Sequence, residues 1–214
     1  MSTNLEIEYK SLLSLAEYDQ LKLLFTHITP VRQTNHYLDT PDYKLRRKKL
    51  ALRIRTFDRD AEMTLKVPQE IGNIEYNISL SLDEAQFLLG EKDLTCGKTD
   101  LSEIFDLLIE RDIDVSEITV IGSLTTIRYE QKLPIGLCAL DKNDYLGHTD
   151  FELELEVEEN TQGKRDFFDF LEKNQVEYRF SKSKVVRFLD CLRHLKKIKA
   201  RSPSLFLYMI RVPF

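Results

Sequence analysis

The chain is poor in the residues from which many cofactor and metal sites are built. Its three cysteines, Cys96, Cys138 and Cys191, stand at no metal-ligand spacing. His36 and His148 have no second His or Cys at ligand distance, so zinc chemistry is not expected. Cys138 sits in a strand pattern and reads as a packed residue, not a nucleophile. None of the seven glycines falls in a phosphate-cradling loop, so any phosphate binding has to come from side chains. No apolar run approaches the roughly 20 residues of a membrane span. The first strand pattern begins within four residues, which leaves no room for a signal peptide, and an odd number of cysteines suits reduced thiols; together these point to the cytoplasm. A net charge of −5 disfavours general affinity for nucleic acid. Internal repeats and low-complexity tracts are absent from the sequence.

What remains is charge arranged with a period. Ser14 and Glu17 form a capping box that opens a helix expected over about 15–27, which Pro30 closes. Strands are expected at 35–40, 50–57, 62–67 and 74–80, with the basic stretch 44–49 as a solvated turn. Residues 81–118 are helical in pattern, with N-cap pairs Ser81/Glu84 and Asp100/Glu103 and punctuation at Gly90 and Gly97. Strands resume at 117–121, 125–132, 137–142 and 151–158, followed by helices at 164–174 and 184–198. Strands that come in adjacent hairpin-like pairs build an antiparallel sheet, so the class is α+β. The organisation expected is one domain over 1–195 with a helical insert near 81–118, then an extension over 196–214 with no assigned role.

Side chains of a strand alternate between faces. Glu6, Glu8 and Lys10 therefore share one face, against Leu5, Ile7 and Tyr9. The same parity puts together Arg53 and Arg55; Glu62, Thr64 and Lys66; Glu75, Asn77 and Ser79; Arg128, Glu130 and Lys132; and Glu152, Glu154, Glu156 and Glu158. A solvated antiparallel face is polar in any case, but Glu and Lys are weak strand formers, and solvated faces usually carry Thr and Ser too. Nearly pure charge, acidic on some strands and basic on others, suits the interior of a closed barrel whose apolar faces pack outward on helices. Such an interior can hold a divalent cation on carboxylate oxygens and phosphate on Arg and Lys.

These residues carry a family resemblance. Glu6-x-Glu8-x-Lys10 resembles the N-terminal signature of the CYTH family, the triphosphate tunnel metalloenzymes. The order continues through Tyr37-Leu38-Asp39-Thr40, Leu52-Arg53-Ile54-Arg55, Thr64-Leu65-Lys66, Leu140-Asp141, Phe151-Glu152-Leu153-Glu154 and Ser181-Lys182-Ser183. The chain is most similar to the small YjbK-type members from Gram-positive bacteria. The resemblance covers about residues 4–190. It implies a closed eight-stranded antiparallel β-barrel, a tunnel with a charged interior, flanked by helices, with Mg²⁺ or Mn²⁺ and a small-molecule triphosphate inside. It implies Glu6, Glu8, Asp141, Glu152 and Glu154 as metal ligands, and Lys10, Arg53, Arg55, Lys66, Arg128 and Lys182 on phosphate. Glu6, Glu8, Lys10 and Glu154 would be catalytic, with Glu75 and Lys132 of lower rank. A homodimer is compatible with it.

Phosphoryl transfer asks mainly for positioning and neutralisation of charge. The expected reaction is attack of water on the terminal phosphorus of tripolyphosphate or of a nucleoside or thiamine triphosphate. The alternatives are an adenylate cyclase, in which the ribose 3′-oxygen attacks the α-phosphorus, and a polyphosphate or nucleotide sensor without turnover. The full acidic set argues against the sensor, since binding alone needs the cations more than the carboxylates.

Overall fold

The first strand determines how the sheet closes. In the computed structural model, which describes residues 1–90, 94 and 99–201, β1 (Ser2–Leu13) pairs antiparallel with two partners in succession. Its Ser2–Glu6 portion pairs with β5 (Asn73–Leu80), and its Ile7–Leu13 portion with β8 (His148–Val157). The other strands are β2 (Val31–Asp39), β3 (Ala51–Thr56), β4 (Ala61–Pro68), β6 (Thr119–Leu133) and β7 (Gly136–Tyr145). Around the barrel the order is β1-β5-β4-β3-β2-β6-β7-β8, antiparallel throughout and closed.

Alternation then sorts the side chains as the sequence predicts. Outward residues of β3, β4 and β5, among them Leu52, Ile54, Met63, Leu65 and Leu80, pack under α3 (Leu82–Gly90) and α4 (Ser102–Ile109). On the opposite side Ile7, Leu140, Leu153, Leu155 and Val157 pack under α1 (Leu15–Lys22) and α5 (Asn160–Lys173). Gly163 lets α5 lie close to β8, because a Cβ there would come within 2.5 Å of Val157. The capping box at Ser14 and Glu17 forms as read from sequence. The first helix is shorter than expected: α1 ends at Lys22 and a 3-10 turn, Leu23–Phe25, follows.

A third apolar group, Tyr37, Leu124, Tyr145, Phe188 and Leu189, joins β2, β6 and β7 to the last helix, α6 (Lys184–Arg201). The strands expected at 117–121 and 125–132 are one strand, β6, interrupted only by a bulge where pairing with β2 slips between Tyr37 and Leu38. Gly122 lies at that bulge with φ +147, and a Cβ there would come 2.3 Å from the Phe188 ring. The bulge seats α6 against the barrel. That helix runs through position 195, where a boundary was expected, without a break. Gly97, Cys96 and the end of the expected extension lie outside the described residues. No helix among the described residues is long and apolar enough to cross a membrane.

Candidate active site

Closing the sheet gathers the charged faces around a cavity of about 580 Å³. β1 contributes Glu6, Glu8 and Lys10, and β8 contributes Glu154 and Glu156. Facing them are Arg53 and Arg55 from β3, Lys66 from β4, Glu75 from β5 and Arg128 from β6. α6 adds Lys184 from one end.

The carboxylates fall into two groups. Asp141, Glu152 and Glu154 bring ligand oxygens within 4.8 Å of one another. The Lys184 ammonium stands among them, 2.9 Å from Asp141, 2.7 Å from Glu152 and 2.7 Å from Glu154. Arg128 grips Asp141 with two N–H donors, at 2.8 and 2.7 Å, and also reaches Glu154. Arg187 donates to Glu152 and to Asp150, each at 2.9 Å, and Ser181 donates to Glu152. Asp141 and Glu152 are fully buried. Burial alone would raise the pKa of Glu154, but Lys184, Lys10 and Arg128 hold it well below the usual carboxylate range. Asp141 is held low against its burial in the same way, by Arg128 and Lys184.

The second group is Glu6, Glu8, Glu75 and Glu156, with Lys66 and Lys10 as counterions. Lys66 lies 2.5 Å from Glu6 and 2.7 Å from Glu75, and Lys10 donates to Glu8. For Glu8 and Glu156 the balance leans the other way. Burial pushes Glu8 up; Lys10 opposes this, while Glu154 and Glu6 add to it. Glu156 is likewise raised by burial and by Glu6, Glu75 and Glu8.

Across the cavity the cations are short of partners. Arg55 donates to Asn35 at 2.9 Å and lies 3.2 Å from Glu62. Burial, together with Arg53 and Arg128, lowers its pKa to about 9. Among the described residues, two buried side-chain polar atoms make no hydrogen bond: Nε of Arg53 and one terminal nitrogen of Arg46. Both arginines line the cavity. A buried donor left unmade costs about 1–3 kcal/mol, which an anion in the cavity would recover.

Of the residues singled out from sequence, Glu6, Glu8, Lys10, Arg53, Arg55, Lys66, Glu75, Arg128 and Glu154 line the cavity. Asp141 and Glu152 do not; they sit behind its wall, bonded to cations. Two others lie outside the cavity. Lys182 lies in the loop before α6, is 55% exposed and pairs with Asp190 at 2.9 Å, while Lys184, two residues on, enters the cavity. Lys132 is 73% exposed beside Glu158, because the β6–β7 hairpin runs past the barrel rim and the inward face there meets solvent. The stretch 44–49 is also less solvated than expected. It forms α2 (Lys44–Arg47), and Arg46 and Lys49 line the cavity mouth.

Fold and site together define a closed antiparallel barrel whose interior is a charged tunnel, acidic on one wall and basic on the other. The family model described as the CYTH domain matches residues 4–189, and the chain belongs to that family. It is 33% identical over 194 residues to YjbK of Bacillus subtilis (strain 168), provisionally named a triphosphatase, covering 89% of this chain and 97% of that one. A crystal structure from Bacillus halodurans, provisionally named an adenylate cyclase, is 31% identical with a TM-score of 0.80, covering 88% of this chain and 99% of that one. HpAC1 from Hippeastrum, described as having a dominant triphosphatase activity, shares the fold with a TM-score of 0.75 at 22% identity, over 86% and 95% of the two chains.

Proposed function

We propose that this protein hydrolyses a small-molecule triphosphate with the help of a divalent metal ion, releasing the terminal phosphate. The observation that carries the reading is the buried, unpaired Nε of Arg53 across the cavity from Glu6 and Glu8. It calls for a ligand that is anionic where it meets β3 and cationic where it meets β1. A metal-bound chain of phosphates is such a ligand. The match to YjbK over nearly both full lengths supports it.

The donor set suits a hard cation. All the inward acids are carboxylates, with no thiolate or imidazole among the residues that line the cavity, so Mg²⁺ or Mn²⁺ fits better than a softer metal. Glu6, Glu8 and Glu154 would hold it, because they face the cavity. Asp141 and Glu152 would act from behind by fixing Arg128 and Lys184. When bound, the metal would neutralise phosphate oxygens and polarise the phosphorus they surround.

The chain's own groups supply the rest. Arg53, Arg55, Lys66, Arg128 and Lys184 would neutralise the phosphates and hold the chain straight for attack. Water forms a bond to the terminal phosphorus as the bridging P–O bond breaks and its electron pair leaves with the diphosphate. The proton of the attacking water passes to Glu8, whose burial raises its proton affinity. A panel of tripolyphosphate, ATP, GTP and thiamine triphosphate with Mg²⁺ and with Mn²⁺, scored by products, tests this. Free phosphate from at least one of them is expected; no product from any would overturn it. The Bacillus halodurans structure's name favours a second reading, cyclisation of ATP. Cyclic AMP in place of phosphate would select it.

A further inference from the structure

The row of cations along β3 is longer than a triphosphate needs. Ala51, Arg53 and Arg55 share the inward face of β3, and Lys49, in the turn between α2 and that strand, lines the cavity with them. From Arg55 to Ala51 the strand spans about 13 Å, already more than three phosphates linked through single oxygens, and Lys49 lies beyond its start. Ala51 leaves the space between Arg53 and Lys49 open. Beyond it Arg46 joins Lys49 at the mouth.

This lip is built and held. Asp39 accepts from the backbone N–H of Thr40, Leu45 and Arg46 at 2.8, 2.9 and 3.1 Å, which ties down the segment carrying α2. Arg46 spends one terminal nitrogen on Asp190 of α6 at 3.1 Å and keeps the other buried and unpaired. Lys49, held in the left-handed region at φ +61, makes no ion pair among the described residues. Nearby cations are otherwise satisfied: Lys44 by Glu117, Arg47 by Asp42 and Lys48 by Asp112. The two lip residues with unspent donors are the two that line the cavity.

We infer that Arg46 and Lys49 form an anion subsite beyond the triphosphate site, and that it takes the next phosphate of a linear polyphosphate chain. This rests on the triphosphatase reading above. A substrate with a neutral group in that place, such as the nucleoside of ATP, gains nothing from the lip.

The test uses the full chain with Mg²⁺ and compares kcat/KM for linear tetrapolyphosphate, tripolyphosphate and ATP. Wild type should favour tetrapolyphosphate over tripolyphosphate. Arg46→Gln with Lys49→Gln should lower that preference about tenfold, the worth of one charge-assisted contact. Lys49→Gln alone should lower it by a smaller factor; it breaks no ion pair, so it decides the matter if Arg46→Gln loosens α6. An unchanged ratio, or equal losses on all three substrates, overturns the subsite. If wild type hydrolyses none of them, calorimetry of the two polyphosphates separates the claims. Tetrapolyphosphate affinity that falls in the lip variants keeps the subsite and sinks the hydrolysis; affinity that does not change sinks the subsite as well.

Discussion

Asp141 and Glu152 sit behind the cavity wall, Glu6 and Glu8 line it, and their surroundings differ. The first pair is sealed: Lys184, Arg128 and Arg187 hold its oxygens, and neither residue is exposed. The second pair keeps one lysine each and faces the cavity, and burial, with Glu154 and Glu6 beside it, makes the charge of Glu8 costly. The same residue type therefore serves two purposes. In the sealed cluster each charge is paid for within the protein, and the cluster fixes α6 in place. In the open rows, acids on β1 and arginines on β3 face one another across the cavity. A buried ion pair is poor evidence of net stability, but breaking one is expensive. The sealed cluster should respond to substitution through stability, and the open rows through chemistry.

The largest effect should come from Lys184→Met, which leaves Asp141, Glu152 and Glu154 facing one another. Loss of one partner from a buried pair costs about 3–5 kcal/mol, read as a lower urea midpoint. Millimolar Mn²⁺ should restore part of it; no loss of stability would mean the cluster is not a structural lock. Glu8→Gln should do the reverse. Turnover falls about 10²-fold or more, the size seen when one preorganised transition-state contact is removed, while the melting temperature holds or rises. Arg53→Gln should raise KM and lower kcat by about tenfold each, since phosphate charge grows along the reaction; steady-state kinetics would separate the two.

Stability against pH sharpens the same contrast. Glu154 and Asp141 have folded values below their unfolded ones, so their contribution is present above the unfolded range of about 4 and is lost as pH falls through the depressed values. Lys184 and Arg128 are raised, so theirs is present below the unfolded values, about 10.4 and above 12, and lost only beyond the folded ones. Glu8 and Glu156 are also raised, but as acids their contribution is full below about 4.3 and is lost as pH rises through their folded values. Thermal melts should show a collapse in strong acid from the first set and a shallow decline above pH 4.3 from the last. Glu8→Gln should flatten that decline and leave the acid collapse unmoved. The smallest effect belongs to Lys182→Ala: outside the cavity, it should change kcat/KM by less than about twofold, as exposed ion pairs contribute little.

Strand parity made most of the barrel and its charged lining legible, because the period of two is imposed by the backbone and does not depend on distant contacts. Legibility failed where position depends on how an element ends. Ser181-Lys182-Ser183-Lys184 offers two lysines to any motif; only the start of α6 at Lys184 decides which one enters the cavity. Lys132 has the right parity, but the hairpin carrying it overshoots the rim. Arg46 lies in a helix of four residues, too short to show a period, and Lys49 in the turn that follows it. Glu152 has the parity of Glu154 and is withheld from the cavity because Arg187 and Ser181 cover it from α6 and the loop before it.

Phosphate release from tripolyphosphate at saturating Mg²⁺, by wild type and by Glu8→Gln of verified fold, tests the central claim most directly. Wild type should release orthophosphate and diphosphate in equal amounts, and Glu8→Gln should lose about 10²-fold or more of that rate. Equal rates from the two proteins, or none from wild type on any triphosphate, would contradict the account.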